Sequence, residues 1–206
     1  MNEGDPQEMT GLNLAPGSDF PELQRMVAAQ LERIASSLRP AHFAGLLDPL
    51  MRQTLAQGFA EAGADEGTLW LVDQCGENLV PAYNTGPRSS EVVGHFEQPL
   101  GAGLVCMVFA SEQPFLENEV WKNSKQSKLL DQKLEVQTCA MIAVPFYLLR
   151  GCRGVISCVQ LRRGPAEPAP PGFRPEHLAS VQRAGSVLTQ LLDYRLLSGA
   201  VGWTRD

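Results

Sequence analysis

The most continuous hydrophobic pattern of the chain lies in residues 137–162, where two apolar runs flank a turn at Arg150 and Gly151. Each run has the length of a β-strand and is rich in β-branched and aromatic residues, and a glycine can adopt the positive φ of a tight hairpin turn. The first run would place Cys139, Met141 and Ala143 on one face and Ala140, Ile142 and Val144 on the other. Because a strand that is apolar on both faces is buried on both, the pattern predicts a central β-hairpin covered on each side of the sheet.

Helical patterns lie on both sides of this region. Apolar residues recur at intervals of three and four from residue 20 to residue 38, which predicts an amphipathic helix of about five turns with an N-cap at Ser18 or Asp19 and an end before Pro40. The stripe of this helix consists of Phe20, Leu23, Val27, Leu31, Ile34 and Leu38. Similar spacing predicts a second helix over residues 42–62 and a last helix over residues 175–198. Since the second and last helices suffice to cover one face of the sheet, we expect a parallel homodimer that is built from the N-terminal and C-terminal helices.

Shorter elements fill the region between these helices. Strand patterns occupy residues 68–73, 78–84 and 95–100, a short helix is predicted at residues 104–111, and an extended segment at residues 114–116. Residues 119–135 are polar and lysine-rich, which is typical of a loop with a helical turn or two. Most connections between the strands are too short for parallel crossovers. The fold class is therefore α+β, with helices on one face of an antiparallel sheet and loops with a short helix on the other.

Composition narrows the classes of function. The chain has 206 residues, 44% of them hydrophobic, with a net charge of −6 and a pI near 5.1. Nucleic acids and anionic membranes favour a basic surface, so neither is expected as a partner. No apolar run approaches the ~20 residues of a membrane span, residues 1–17 lack the pattern of a secretory signal, and the five cysteines lack metal-type spacing. We therefore expect a cytoplasmic protein with reduced thiols.

The patterns divide the chain into four parts. Residues 1–17 mix glycine, proline and acidic residues without periodicity and are predicted to be a disordered tail. Residues 18–40 form the N-terminal dimerisation helix, residues 41–198 form one folded domain, and residues 199–206 form a C-terminal tail.

Several segments of the folded domain occur in the order that is typical of the GAF family. They are residues 69–73 with 77–79, Pro-Leu-Gly-Ala-Gly-Leu at 99–104, residues 117–120, Ala-Val-Pro-Phe at 143–146 with Gly151 and 154–156, and Phe173 with Leu178. Together they resemble a GAF domain over about residues 43–197. The resemblance implies a six-stranded antiparallel sheet, a ligand pocket on one face and dimerising helices on the other. A fold by itself does not determine a function.

The motifs of GAF subfamilies with recognisable chemistry are incomplete. The Asn-Lys and Phe-x-x-x-Asp-Glu motifs of cyclic-nucleotide-binding members are missing, no Cys-His pair for bilin attachment occurs, and His95 is the one histidine near the predicted pocket edge. The GAF-type free methionine-(R)-sulfoxide reductases use a cysteine just after the pocket-helix glycines and a His-x-Ala-Cys-Asp stretch. Here Cys106 lies one residue late, Cys139 lies near the start of the core strand, and that stretch is missing. We interpret both cysteines as small buried residues, with a reactive thiolate at the helix start as the alternative.

Without a subfamily motif, the resemblance implies only a generic pocket for a small molecule. Its predicted lining is Leu104, Met107 and Val108 of the short helix, Trp121 of the polar loop, and Cys139, Met141 and Ala143 of the core strand. The sequence thus predicts a sensory or regulatory module, not an enzyme, that binds an unidentified ligand, forms a homodimer and signals through its helices to a partner protein. Two alternatives stay open, a reductase-like redox enzyme and a ligand-free structural dimerisation module. The sequence identifies neither the ligand nor a cofactor.

Overall fold

The computed structural model of the protein describes residues 20–149, 151–164 and 166–200. The strands in these residues are β1 (Glu66–Val72), β2 (Asn78–Asn84), β3 (Gln98–Pro99), β4 (Phe115–Glu117), β5 (Gln137–Leu148) and β6 (Gly151–Arg162). These six strands form one antiparallel sheet with the order β3-β2-β1-β6-β5-β4. The predicted α+β class, the six-stranded antiparallel sheet and the central hairpin β5–β6 are therefore confirmed.

Long helices cover one face of the sheet and short helices the other. The described helices are α1 (Phe20–Ser37), α2 (Pro40–Phe43), α3 (Pro49–Glu61), α4 (Ser89–Val92), α5 (Leu104–Ser111), α6 (Leu129–Leu134) and α7 (Pro175–Ala200), with a 3-10 turn at Val120–Lys122. Helix α3 packs against α7, and α7 packs on β5, while α5 contacts β5 and β6 from the opposite side.

The face under α3 and α7 is a closely packed apolar core. Ile142 and Val144 of β5 are buried there, as predicted, in one cluster with Leu188 of α7. At Gly58 of α3, a Cβ atom would lie 2.5 Å from the Cβ of Ala184 in α7. Only glycine permits this approach, and the approach brings the apolar stripes of both helices onto the sheet.

A second, smaller core lies on the opposite face of the same strands. Its buried members include Trp70 of β1, Ala143 of β5, Val155 of β6, and Val105 and Val108 of α5. The Trp70 ring meets the Phe96 ring edge to face, with 6.1 Å between the ring centroids. Because side chains alternate between the two faces of a strand, the central strands supply both cores.

The predicted helix over residues 42–62 is in fact two helices. Helix α2 ends at Phe43, and α3 begins at Pro49 after the N-cap residue Asp48, whose carboxylate accepts a hydrogen bond from the backbone N of Met51 at 2.9 Å. A proline suits the first turn of a helix and disfavours a helical residue before it, so Pro49 divides the pattern. The third strand is also shorter than the predicted residues 95–100, because a turn with a positive φ at Gly94 leaves His95 outside the sheet.

The turn of the central hairpin differs from the prediction. Leu148 pairs with Gly151, so the turn begins at Leu149, where the positive φ, 50°, is found. A positive φ is expected at the first central residue of a tight hairpin turn, whereas Gly151 already belongs to β6. The backbone N of Leu149 donates to Oδ1 of Asp193 in α7 at 2.8 Å. This hydrogen bond holds an unfavourable backbone conformation against the C-terminal helix.

The ends of the chain agree with the predictions in part. Helix α1 matches the predicted N-terminal helix, while the predicted tail at residues 1–17 and the N-cap at Ser18 or Asp19 lie outside the described residues. Helix α7 continues through Ala200, so the first two residues of the predicted C-terminal tail are helical. A single glycine at position 199 lowers helix stability by only about 1 kcal/mol and does not end the helix.

Candidate functional site

A cavity of about 70 Å³ lies on the face of the sheet opposite to α3 and α7. Its floor consists of Glu66, Thr68 and Trp70 of β1 and Ser157, Val159 and Leu161 of β6. These are alternate positions of their strands, so their side chains share one face. The start of α5 forms one wall, and α6 with the residues on either side of it forms the cover.

Hydrogen bonds join the polar groups of the floor to neighbouring strands. Trp70 Nε1 donates to Ser157 Oγ at 2.9 Å in a buried contact between β1 and β6. Asn84 Nδ2, at the end of β2, donates to Thr68 Oγ1 at 2.9 Å. A buried polar group without a hydrogen-bond partner destabilises the folded state. These hydrogen bonds therefore allow polar side chains to be buried in the floor of the cavity.

The wall at the start of α5 is built by a glutamine and a glycine. Gln98 is buried, and its Nε2 donates to the backbone O of Ala102 at 2.9 Å. Gly103 has a φ of 95°, and a Cβ atom there would lie 3.2 Å from the Cβ of Ser127 in the cover. The position therefore requires glycine both for its backbone conformation and for the approach of the cover. The Pro-Leu-Gly-Ala-Gly-Leu motif thus shapes the cavity wall.

The cover is attached to the sheet through the carboxylate of Asp131. Its Oδ1 accepts from Thr138 Oγ1 at 2.6 Å, and its Oδ2 accepts from the Thr138 backbone N at 3.0 Å and from Gln126 Nε2 at 3.0 Å. Three donors to one carboxylate fix α6 and the loop before it over the cavity. The Oε1 atom of Gln126 is buried and accepts no hydrogen bond from the described residues.

Glu66 places a carboxylate at the edge of the floor. Its side chain is only 12% exposed, and Arg163 Nη2 lies 3.6 Å from its Oε1. A Cβ atom at Gly86 would lie 2.2 Å from Oε2, so the carboxylate occupies a narrow gap. Burial raises the pKa of Glu66, and this effect exceeds the opposing effect of the Arg163 guanidinium.

The structure brings together only part of the predicted lining. Leu104 and Met141 line the cavity. Val108 and Ala143 are buried in the adjoining apolar core, Met107 and Trp121 are half-buried outside the lining, and Cys139 lies where the pairing of β5 with β6 is interrupted between Thr138 and Ala140. The irregular register at Cys139 removes it from the alternation of β5. That these residues bind a ligand stays a prediction.

Most polar residues of the cavity were missed by sequence reasoning. They are Glu66, Thr68, Asn84, Gln98, Gln126, Ser127, Asp131, Thr138 and Ser157. A signal existed in β1, where Glu66, Thr68 and the amphipathic Trp70 alternate with apolar residues, since a period of two indicates one polar-lined face. The sequence around Gln126 and Asp131 contains no such periodicity.

The two cysteines at reductase-like positions are both buried. Burial raises the pKa of the Cys106 thiol to about 11, and its Sγ donates to the backbone O of Pro99 at 3.3 Å. Burial also raises the pKa of Cys139, and its Sγ lies 3.7 Å from the backbone O of Gln137, which accepts its hydrogen bond. Both groups are therefore protonated thiols at neutral pH. No cluster of three or more potential metal ligands occurs among the described residues.

A second surface feature is a groove of about 630 Å³ between α1 and α7. It is lined on α1 by Leu23, Gln24, Val27, Ala28, Leu31, Glu32 and Ala35, and on the other side by Leu149, Arg153, Asp193 and Leu197. Ala35 is buried, but Leu23 and Met26 are 56% and 64% exposed. The C-terminal part of α1 therefore packs on its own domain, and the N-terminal part presents apolar side chains to solvent.

Comparison with known proteins identifies the fold. No protein-family model and no curated protein matches the sequence. Among solved structures, the GAF domain of a phosphoenolpyruvate-protein phosphotransferase from Coxiella burnetii has a TM-score of 0.56 and 15% identity, over 88% of this chain and 98% of that chain. A GAF domain/HD domain protein from Geobacter sulfurreducens has a TM-score of 0.55 and 14% identity, over 75% and 97%. The free methionine-R-sulfoxide reductase from Neisseria meningitidis, in complex with its substrate, has a TM-score of 0.53 and 19% identity, over 86% and 94%.

The protein therefore has a GAF fold, as the order of its sequence motifs predicted. The similar structures include both a domain of a phosphotransferase and a reductase, so this likeness defines the fold and leaves the chemistry to the site itself. Even the longest helix in the described part of the chain lacks the apolar length required to cross a bilayer.

Proposed function

We propose that the protein is a sensory or regulatory module that binds a small molecule in the cavity and signals through α1 and α7 to a partner protein. The observation that supports this most directly is the cavity itself. Gln98 and Ser157 are buried polar residues in its lining, and Asp131 holds a separate cover over it. Small-molecule sites combine apolar walls with a few placed polar groups in this way.

The connection from the cavity to α7 runs through the central hairpin. Ser157 faces the cavity, while its neighbour Ile156 faces α7, where a Cβ atom at Gly185 would lie 3.2 Å from Ile156 Cδ1. Thr189 Oγ1 of α7 also donates to the backbone O of Tyr147 at 2.9 Å. A shift of β6 on ligand binding would therefore displace α7, because packed elements move together.

The ligand proposal is tested by native mass spectrometry of the protein as purified and after addition of small metabolites at millimolar concentration. We expect an adduct that disappears under denaturing conditions. The adduct should be lost in the variant Val159→Phe, which fills the cavity floor, and kept in the matched control Val187→Phe, which changes an exposed position of α7. If all three proteins carry no adduct and a thermal-shift screen of small metabolites finds no stabilising compound, the ligand-free structural module replaces this proposal.

We propose further that two copies associate through the apolar stripe of α1, in which Leu23 is exposed and Val27 and Leu31 are half-buried. Burial of the remaining exposed apolar surface at the groove would be stabilising, and two-fold dimers are the most common symmetric assembly. Light scattering should give the mass of a dimer. The double variant Val27→Glu and Leu31→Glu should give a folded monomer, while Ala29→Glu with Ser37→Glu, outside the groove, should remain dimeric. A monomeric unmodified protein would contradict the proposal.

The proposed module acts without catalysis. The protonated, buried thiols of Cys106 and Cys139 support this, since a thiolate is the nucleophile in cysteine chemistry. The test is a coupled assay with free methionine-(R)-sulfoxide. We expect no turnover above background, and turnover that disappears in Cys106→Ser would replace the regulatory proposal with the enzymatic one.

A further inference from the structure

Building on the proposed function of the cavity, we infer that its ligand is a small primary ammonium ion, recognised by the carboxylate of Glu66 and the free carbonyl oxygen of Gln126. Three properties of the lining support this class of ligand: its available hydrogen-bond acceptors, its charge and its size.

Each side-chain nitrogen of the lining already donates a hydrogen bond within the protein. Trp70 Nε1 donates to Ser157, Asn84 Nδ2 donates to Thr68, and Gln98 Nε2 donates to the Ala102 carbonyl. Gln126 Nε2 likewise donates to Asp131. The donors that remain in the lining are second amide N–H groups and hydroxyls, and all of them are uncharged.

Acceptors, in contrast, remain available. Gln126 Oε1 is buried and has no hydrogen-bond partner among the described residues. The carboxylate of Glu66 has two oxygens with lone pairs for about four hydrogen bonds, and its ion pair with Arg163 has a long N–O distance of 3.6 Å. A ligand that brings N–H donors would satisfy these oxygens.

The charge of the lining favours a cation. Among the described residues that line the cavity, Glu66 and Asp131 are acidic and none is Lys, Arg or His. Asp131 already accepts three hydrogen bonds that hold the cover, which leaves Glu66 as the carboxylate for the ligand. Arg163 approaches from outside the lining and its side chain is 48% exposed, so solvent screens its charge.

The size and walls limit the rest of the ligand. A cavity of about 70 Å³ accommodates a molecule of a few non-hydrogen atoms. Trp70, Leu104 and Met141 provide apolar contacts for a short alkyl group beside the ammonium. For so few atoms, the dissociation constant is expected to be about 1 mM.

The test is a calorimetric titration of the full-length protein with ethylammonium chloride. Sodium acetate and acetamide, which are similar in size but anionic and neutral, are compared at equal ionic strength. We expect ethylammonium to bind at least about tenfold more tightly than either compound, because only the ammonium offers three donors and a positive charge.

Variants locate the binding. Glu66→Gln should weaken ethylammonium binding at least about tenfold, Gln126→Leu should weaken it less, and Glu97→Gln, at an exposed carboxylate outside the cavity, should leave it unchanged. Thermal unfolding without ligand verifies that each variant folds. If Glu66→Gln does not fold, the weaker binding of ethylammonium to Gln126→Leu is the test.

The possible failures separate the two proposals. Binding of acetate or acetamide in preference to ethylammonium would overturn the ammonium inference and keep the cavity as a ligand site. Ethylammonium binding that is unaffected by both cavity variants would also overturn the inference. Absence of binding by all three compounds, together with no adduct in native mass spectra, would overturn both proposals.

Discussion

The two faces of the sheet are built from the same strands, yet one face is filled by apolar side chains and the other contains a cavity with polar residues. On the face under the long helices, Leu69 and Ile156 are fully buried in a continuous apolar cluster. On the other face, their direct neighbours in sequence, Thr68 and Ser157, line a cavity and form hydrogen bonds. One residue along a strand separates a filled core from a polar site.

The difference indicates which face of the sheet tolerates changes of side chain. The helix face depends on close contacts, such as Gly58 against Ala184, that few other side chains would allow. The cavity face instead combines a smaller apolar core with hydrogen-bonded pairs that connect neighbouring strands and do not involve the long helices. A new ligand specificity can therefore arise on the cavity face while the helix face keeps the domain folded.

The largest effect is expected from truncation of the helix face. Leu69→Ala should lower the free energy of unfolding by about 2–5 kcal/mol, because it leaves a hole in a fully buried cluster. The neighbouring change Thr68→Val keeps the shape and removes only the acceptor of Asn84 Nδ2, so it should lower stability by no more than about 1–2 kcal/mol. Urea denaturation measures both values, and equal losses would show that the two faces are packed alike.

An intermediate effect is expected for the hydrogen bond across the cavity floor. Ser157→Ala removes the acceptor of Trp70 Nε1 and leaves a buried donor without a partner, which lowers stability by about 1–3 kcal/mol. Ser157→Thr retains the hydroxyl and suits a strand, so most of the stability should return. If both variants unfold at the same urea concentration as the unmodified protein, the floor is more hydrated than the structure indicates.

The same contrast explains what could be predicted from the sequence. The hairpin β5–β6 and the burial of Ile142 and Val144 followed from local hydrophobic periodicity, which the sequence displays directly. The break before Pro49 was also readable, because Asp48 and Pro49 form a typical helix start, but the apolar spacing on both sides concealed it.

The cavity was less predictable because distant segments build it. Gln126 and Asp131 line the same cavity as the floor residues of β1 and β6, which lie far from them in the chain, and no periodic pattern of the sequence displays that proximity. Cys139 was placed in the pocket by strict alternation, and the interrupted pairing beside it invalidates that alternation. A one-residue irregularity changes the face of a side chain, whereas it hardly alters the pattern of apolar residues.

The smallest expected effect concerns the carboxylate at the edge of the cavity. Burial raises the pKa of Glu66 above the ordinary value of 4.5, while Arg163 lowers it and Asp65 raises it further. Between the ordinary and the raised pKa, the folded state binds more protons than the unfolded state, so this group makes the protein less stable as the pH rises through that interval. Glu66→Gln removes the titration. The stability of the unmodified protein minus that of the variant should therefore fall as the pH increases from 4.5.

Urea denaturation of both proteins at several pH values from about 4 to about 7 measures this difference. The variant Glu97→Gln, which changes an exposed carboxylate outside the cavity, is the matched control. Ethylammonium should reverse the trend if it binds beside Glu66, because a cation stabilises the ionised carboxylate and lowers its pKa. A difference that does not change with pH would mean that Glu66 is as well solvated as a surface carboxylate, and the contrast between the two faces would then not extend to the edge of the cavity.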